Sequence, residues 1–262
     1  MRIPYFSIII PTHNRPQLLR RAILSLRESS FDDYEIIVIS DERAVVFNEI
    51  SELLQSRDTF LKRSGPPGPA ESRNQGLRIA RGHYVMFLDD DDAFLPNYLY
   101  DLYIARQQGS QNIFYTNFRI VEENRNSSEG ILKTIDYSVA QVESTLVYVK
   151  NFIHPGTLSF PRVSLLNRYQ DLSLKSLEDW DFLLNVLQGS SLEYKNILGA
   201  VIYKDYFNFG TRRGNCEQAE DILAASDYLT IYKKWPAPTE ELKNERKKLL
   251  ASGGINVPLV WL

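Results

Sequence analysis

Short, fully apolar runs alternate with amphipathic stretches through the first hundred residues. Phe6-Ser-Ile-Ile-Ile10 reads as a buried strand that stops at Pro11. Pro16 then opens a helix, because its missing N–H is surplus at a first turn, and Leu18, Leu19, Ala22, Ile23 and Leu26 recur at helical spacing. Glu35–Ile39 is a second buried strand and Thr59–Lys62 a weaker third, with a helix expected over Val45–Leu54. The turn cluster Gly65–Pro69 leads into a helix over Ala70–Ala80, with Gly82 as its stop. His83–Leu88 is a strong strand, followed by a helix from about Pro96 to Gln108. Apolar strands of this kind separated by helices imply a parallel sheet covered on both faces, wound right-handed.

The second half is less regular. Asn112–Glu122 is β-like and aromatic, Thr157–Phe160 a short strand, and Val201–Phe209 another. Leu177–Leu187 reads as a helix with Phe182, Leu183, Val186 and Leu187 on one face. Phe209–Asn215 is a basic, Gly-flanked loop, and two helices, about Glu217–Lys234 and Thr239–Leu250, end the chain.

Composition narrows the class. The chain has 262 residues, enough for one large domain with a small appendage. Thirty basic against 33 acidic residues give a net charge of −3, without the basic excess that sequence-independent nucleic-acid binding needs. A single cysteine, Cys216, excludes an intramolecular disulfide framework. Met1–Ile10 lacks the features of a signal peptide, and no uncharged apolar run approaches the ~20 residues that span a bilayer. Association with a membrane surface stays open.

Four places carry candidate chemistry. The acidic run Asp89–Asp92 follows a strand at the sheet edge where open α/β folds bind ligands. Four adjacent carboxylates repel by about 1 kcal/mol per pair in water. Either the run is a solvated loop, or a hard divalent cation, Mn²⁺ or Mg²⁺, offsets it and bridges to phosphate. Asp41, after the second strand, is either a helix cap or an acceptor for a base N–H or ribose hydroxyl. Pro11-Thr-His-Asn-Arg15 would face the same crevice, with His13 either structural or a nucleotide contact. In Leu177-Glu-Asp-Trp-Asp181, the acids either complement the helix dipole or present a catalytic carboxylate. Trp180 would shield that site or offer a platform to a sugar ring, and His154, in a turn-rich loop, either caps a turn or lies near an acceptor pocket.

These segments resemble, in order and spacing, the inverting family 2 glycosyltransferases of the GT-A fold. Ser7–Arg15 is similar to the family's opening and Tyr34–Asp41 to its second strand, with Ser40 where members usually carry an extra acid. Ser72–Asp92 looks like the donor-binding block ending in the metal motif, and Leu177–Asp181 like the catalytic motif. The Gln-x-x-Arg-Trp motif of processive synthases is missing after Asp181.

The resemblance implies a GT-A (Rossmann-like) mixed, mostly parallel sheet flanked by helices, with a C-terminal helical extension. Residues 1–215 would form the transferase domain, 1–92 binding the nucleotide-sugar and 93–215 the acceptor, and 216–262 the extension. It assigns Asp41 to the nucleobase, commonly uracil, and Pro11, Thr12, His13 and Asn14 to base and ribose. Arg73, Asp89 and Asp90 fall on the donor, with Asp89 also near the metal and Asp91 binding it directly. Asp179 matches the general base, with Glu178 beside it. Arg212 and Arg213 would close over the diphosphate, or else lie on a solvated loop. His154 and Trp180 fall on the acceptor side. The implied partners are a UDP-sugar and a saccharide or lipid-linked saccharide, in the cytoplasm or at the inner face of its membrane. A non-catalytic binder of nucleotide-sugars or glycans is the alternative, and a sugar-phosphate nucleotidyltransferase a weaker one, since the glycine-rich loop it needs after the first strand is replaced by Pro11–Arg15.

Overall fold

The structure, a computed structural model, describes residues 2–41, 47–125, 130–174, 176–206 and 221–259. Its first half runs β1 (Phe6–Thr12), α1 (Pro16–Arg27), β2 (Tyr34–Ser40), β3 (Thr59–Lys62), α2 (Pro69–Ile79) and β4 (Tyr84–Phe87). All pairings here are parallel: β2 and then β3 lie to one side of β1, and β4 to the other. The chain therefore reverses direction across the sheet between β1 and β4, which creates a ligand crevice at their carboxyl ends.

The second half adds β5 (Ala93–Phe94), α3 (Tyr98–Arg106), β6 (Ile113–Glu123), β7 (Ile131–Tyr137), β8 (Leu158–Pro161), α4 (Glu178–Leu187) and β9 (Leu192–Asp205). Helices α5 (Asp221–Lys234) and α6 (Glu240–Ser252) follow. The result is one mixed sheet of order β3-β2-β1-β4-β8-β6-β9-β5, with β7 pairing with β6. Strand β8 is antiparallel to both β4 and β6, and so joins the two halves.

Alternation within the apolar strands sorts the core into two layers. Ile8, Ile10, Ile36, Val38, Met86 and Leu88 pack with Leu19 and Ile23 of α1 and Leu102 of α3. Ile9, Ile37, Val85 and Phe87 face the other way, toward Phe182 and Leu183 of α4. Ile231, Tyr232 and Leu250 of α5 and α6 belong to that same second layer. Gly76 lets α2 lie close on β1, since a Cβ there would stand 2.4 Å from Ile9 Cγ2.

Four elements differ from the sequence reading. The described part of the expected Val45–Leu54 helix is two short 3₁₀ turns, Phe47–Glu49 and Ser51–Leu53. Only Ile50 is buried between residues 47 and 53, and one apolar contact does not make a helical stripe. Strand β9 begins at Leu192, well before Val201, and β5 and β7 were not anticipated. The 209–215 loop with Arg212 and Arg213, and Cys216, lie outside the described residues.

Candidate active site

A cleft of ≈ 440 Å³ opens at the β1/β4 reversal, lined by the end of β1, the turn after β4 and the start of α2. At one end, the Asp41 carboxylate is almost buried. Its Oδ1 lies 2.7 Å from His13 Nδ1, and its Oδ2 accepts from Gly68 N at 2.7 Å and Arg63 Nη2 at 3.1 Å. Pro11 and Thr12 end β1 in parallel register with Ile39 and Ser40, which brings His13 and Asp41 to the same edge. Asn14 takes φ +46°, a left-handed turn that asparagine tolerates well, and His13 is exposed to the cleft mouth.

The acidic run is threaded by arginines. Arg73 of α2 donates to Asp89 Oδ1 at 2.7 Å. Asp90 is buried, accepting from the Thr12 hydroxyl at 2.7 Å and from Arg15. Asp91 Oδ2 lies 3.2 Å from Arg15 Nη1 and 3.5 Å from Arg125 Nη2. Asp92 turns the other way, its Oδ1 accepting from Tyr203 N of β9 at 3.1 Å and its Oδ2 facing His154 Nε2 at 3.6 Å. The environments separate these acids. Burial opposes charge on Asp89, but Arg73 prevails and holds it below the ordinary carboxylate range. On Asp90 burial outweighs Arg15 and Thr12 and raises the pKa to about 6.

Asp89, Asp92 and His154 bring ligand atoms within 4.8 Å of one another, a donor set of two carboxylates and an imidazole that could hold a metal ion. Asp91 is not in that group, because its carboxylate is turned to Arg15 and Arg125. His154 Nδ1 accepts from Gly156 N at 3.2 Å. In the neutral ring that bond leaves the proton on Nε2, so ligation there requires the proton to change nitrogens.

The cleft continues toward the start of α4 through Arg73, whose Nη1 reaches Glu178 Oε1 at 3.4 Å while Nη2 holds Asp89. Asp179 accepts from Trp180 N at 2.8 Å and Asn151 Nδ2 at 3.3 Å. Burial, then the adjacent Glu178, raise its pKa to about 6 against the pull of Arg73. Leu177, just before these acids, has φ +60°, a conformation unusual for a branched side chain. Trp180 corrects the sequence reading. It is fully buried, its indole N–H donating to Val147 O at 2.7 Å, so it presents no face to a sugar.

A family model described as "Glycosyl transferase family 2" matches residues 7–163, more than half of the chain. The chain belongs to glycosyl transferase family 2. An "Uncharacterized glycosyltransferase" of Haemophilus influenzae is 29% identical over 248 residues, covering 85% of this chain and 75% of its own. A "GalNAc(5)-diNAcBac-PP-undecaprenol beta-1,3-glucosyltransferase" of Campylobacter jejuni is 37% identical over 116 residues, 43% of this chain and 38% of that one. Among solved structures, Staphylococcus aureus TarS 1–349 in complex with UDP-GlcNAc superposes with TM-score 0.65 at 18% identity, covering 94% of this chain and 71% of that one. The Pyrobaculum calidifontis mannosyltransferase PcManGT with GDP-Man and Mn²⁺ gives TM-score 0.65 at 16% identity, over 96% and 73%. At these identities the two structures show the GT-A-type fold alone.

For a family 2 glycosyltransferase, the site contains residues that the sequence reading named only within longer stretches, Arg15 and Asp92, or gave no role in the donor site, Arg63 and Arg125. Arg15, Arg63 and Arg125 all meet cleft carboxylates. Arg63 follows β3 at the same sheet edge as Asp41, a position that could have marked it. Asp92, read only as part of the acidic run, turns to Tyr203 and His154, and Asn151 meets Asp179 across 28 residues, pairings that no local pattern marks.

Proposed function

We propose that this glycosyltransferase moves a sugar from a nucleoside diphosphate donor, uridine-based, to a hydroxyl of a saccharide or lipid-linked saccharide, with inversion at the anomeric carbon. The observation that carries this reading is the continuous polar track from Asp41 through Asp89 and Arg73 to Asp179. Asp41 and His13 take the base at the open end, Asp41 accepting from its N–H. Asp90 and Thr12 lie where the ribose and first phosphate would sit. Asp89 and Asp91 would hold a divalent cation, and Arg15, which meets Asp91 at 3.2 Å, would offer its charge to the diphosphate. When bound, that cation stabilises negative charge on the departing diphosphate. Asp179, raised toward neutrality, takes the proton from the acceptor hydroxyl as its oxygen attacks from the face opposite the diphosphate. Arg73 fixes the distance between the two acid groups and so aligns the reactants.

A neighbour holding UDP-GlcNAc and another holding GDP-Man with Mn²⁺ support a nucleotide-sugar donor. The Campylobacter relative's name supports a lipid-linked acceptor. No described helix is long and apolar enough to cross a membrane. The group Asp89–Asp92–His154 favours a second arrangement of the cation, with Asp92 and His154 in place of Asp91. A thermal-shift screen of UDP-, GDP- and dTDP-sugars with and without Mn²⁺ identifies the donor, because a ligand of the native state raises the melting temperature. NMR of the product then reads its anomeric configuration. A retained configuration, or Mn²⁺-dependent donor binding without transfer or hydrolysis, contradicts the reading.

A further inference from the structure

We propose that Lys234 and Trp235, at the end of α5, are positioning residues for transfer: they hold Asp179 in place by clamping Asp181. The inference rests on Asp179 as the base and extends it to a part of the chain more than 50 residues away. Asp181 lies in the first turn of α4, two residues past Asp179, and its carboxylate is 1% exposed. It accepts from Trp235 Nε1 at 2.8 Å and from Lys234 Nζ at 2.9 Å, and Lys234 also reaches Asp171 at 2.7 Å. On the other side of the catalytic turn, the Ser176 hydroxyl donates to Asp227, also of α5. One helix therefore grips the chain on both flanks of Leu177, the residue at φ +60°. A left-handed branched residue persists only where its surroundings over-determine it.

The same helix reaches both hydrogen-bond partners of Asp179. The Tyr228 ring packs 5.1 Å from that of Trp180, whose backbone N–H meets Asp179. The Tyr232 hydroxyl donates to Val149 O at 2.6 Å, two residues before Asn151, whose amide also meets Asp179. Without Lys234, the buried Asp181 carboxylate has lost its cation, and the first turn of α4 moves to reach water. A displacement of about 1 Å at a base costs on the order of 10²-fold in rate. Such a movement leaves β1 and the turn after β4 in place and reaches the donor cleft only through the 3.4 Å contact between Glu178 and Arg73, which stays held by Asp89.

The test measures kcat, donor KM and melting temperature for Lys234→Met, Trp235→Phe, Lys234→Met/Asp181→Asn and Asp179→Asn in the full chain. Trp235→Phe keeps an aromatic side chain but removes the indole N–H together with the five-membered ring that carries it. Lys234→Met and Trp235→Phe should each lower kcat by roughly 10–100-fold at unchanged donor KM. Adding Asp181→Asn to Lys234→Met should restore most of the rate, because the amide still accepts from Trp235 without needing a cation. Wild-type kcat in the two single variants, with only the melting temperature lowered, overturns the clamp while a dead Asp179→Asn leaves the base intact. Wild-type kcat in Asp179→Asn overturns both. Failure of Asp181→Asn to restore the Lys234→Met rate also overturns the clamp.

Discussion

Two acidic groups share the cleft and one arginine, yet they are set to opposite tasks. Asp89 and Asp91 stand among Arg15, Arg73 and Arg125, which offer cations that a diphosphate can claim. Among the described residues, the cation that meets Glu178 is Arg73, and that guanidinium also holds Asp89 at 2.7 Å. Burial and a neighbouring carboxylate then leave Asp179 with a pKa of about 6, while Asp89 stays below its ordinary range. One residue type thus has its pKa pushed in opposite directions, which suits the proposed charge anchor in one place and the proposed proton acceptor in the other. The difference comes from the count and reach of the arginines, together with burial. Asp90 shows the boundary: it sits among the anchors, but enough burial overrides its Arg15 pair.

The contrast breaks most visibly at Asp91. Asp91→Asn is expected to lower Mn²⁺-dependent donor affinity by at least about 100-fold, the scale for losing a metal-site residue, with the fold retained. Unchanged affinity by calorimetry, combined with its loss in His154→Gln, would instead move the cation to Asp89, Asp92 and His154. Next in size, Asp41→Asn should weaken UDP by roughly 10-fold and erase its preference over GDP, as one charge-assisted hydrogen bond is worth about 1.5–3 kcal/mol. Tighter GDP than UDP binding in the wild-type protein rejects the uridine assignment.

A smaller effect separates the two acid groups by pH. Asp179 has a folded pKa of about 6 against an ordinary 3.8. The stability it contributes is therefore full below pH 3.8 and lost as pH rises through about 6. Asp179→Asn should accordingly melt higher than wild type at pH 7.5, by an equivalent of about 1–2 kcal/mol, with the gap closing toward pH 4. A gap that does not depend on pH would mean that the carboxylate is not strained. The mildest expected effect is that His154→Ala raises acceptor KM by a few-fold, roughly one hydrogen bond's worth, while donor KM holds. Normal kinetics with a lowered melting temperature would leave His154 as the turn cap that its Gly156 bond describes.

The donor half was legible because its strands are buried on both faces and so read as unbroken apolar runs. Ile8, Ile9 and Ile10 could be assigned to a covered strand with no knowledge of what covers them. The acids were legible by their place just after those strands. The second half hides more. In β9 the run Leu192-Glu-Tyr-Lys-Asn-Ile197 is mostly half-buried, and the adjacent polar pair Lys195-Asn196 breaks the alternation that marks a strand, so its long pairing with β6 is set by tertiary contact. Trp180 had a signal that went unused: with Leu183, Leu184 and Leu187 it completes the i, i+3, i+4, i+7 stripe that faces the core. The arginines on the acids were beyond reach for a different reason. Arg15 and Asp90 are 75 residues apart, and Lys234 and Asp181 are 53 apart, and no local pattern encodes such pairs.

The claim that the two acid groups divide the work is tested most directly by steady-state kinetics of Asp179→Asn beside its UDP–Mn²⁺ affinity, with Glu178→Gln as the control. Asp179→Asn should lower kcat by roughly 10²–10⁴-fold while nucleotide affinity stays near that of the wild type. Near-full turnover in Asp179→Asn with a dead Glu178→Gln would show that the neighbouring carboxylate is the base, and full turnover in both would contradict the mechanism.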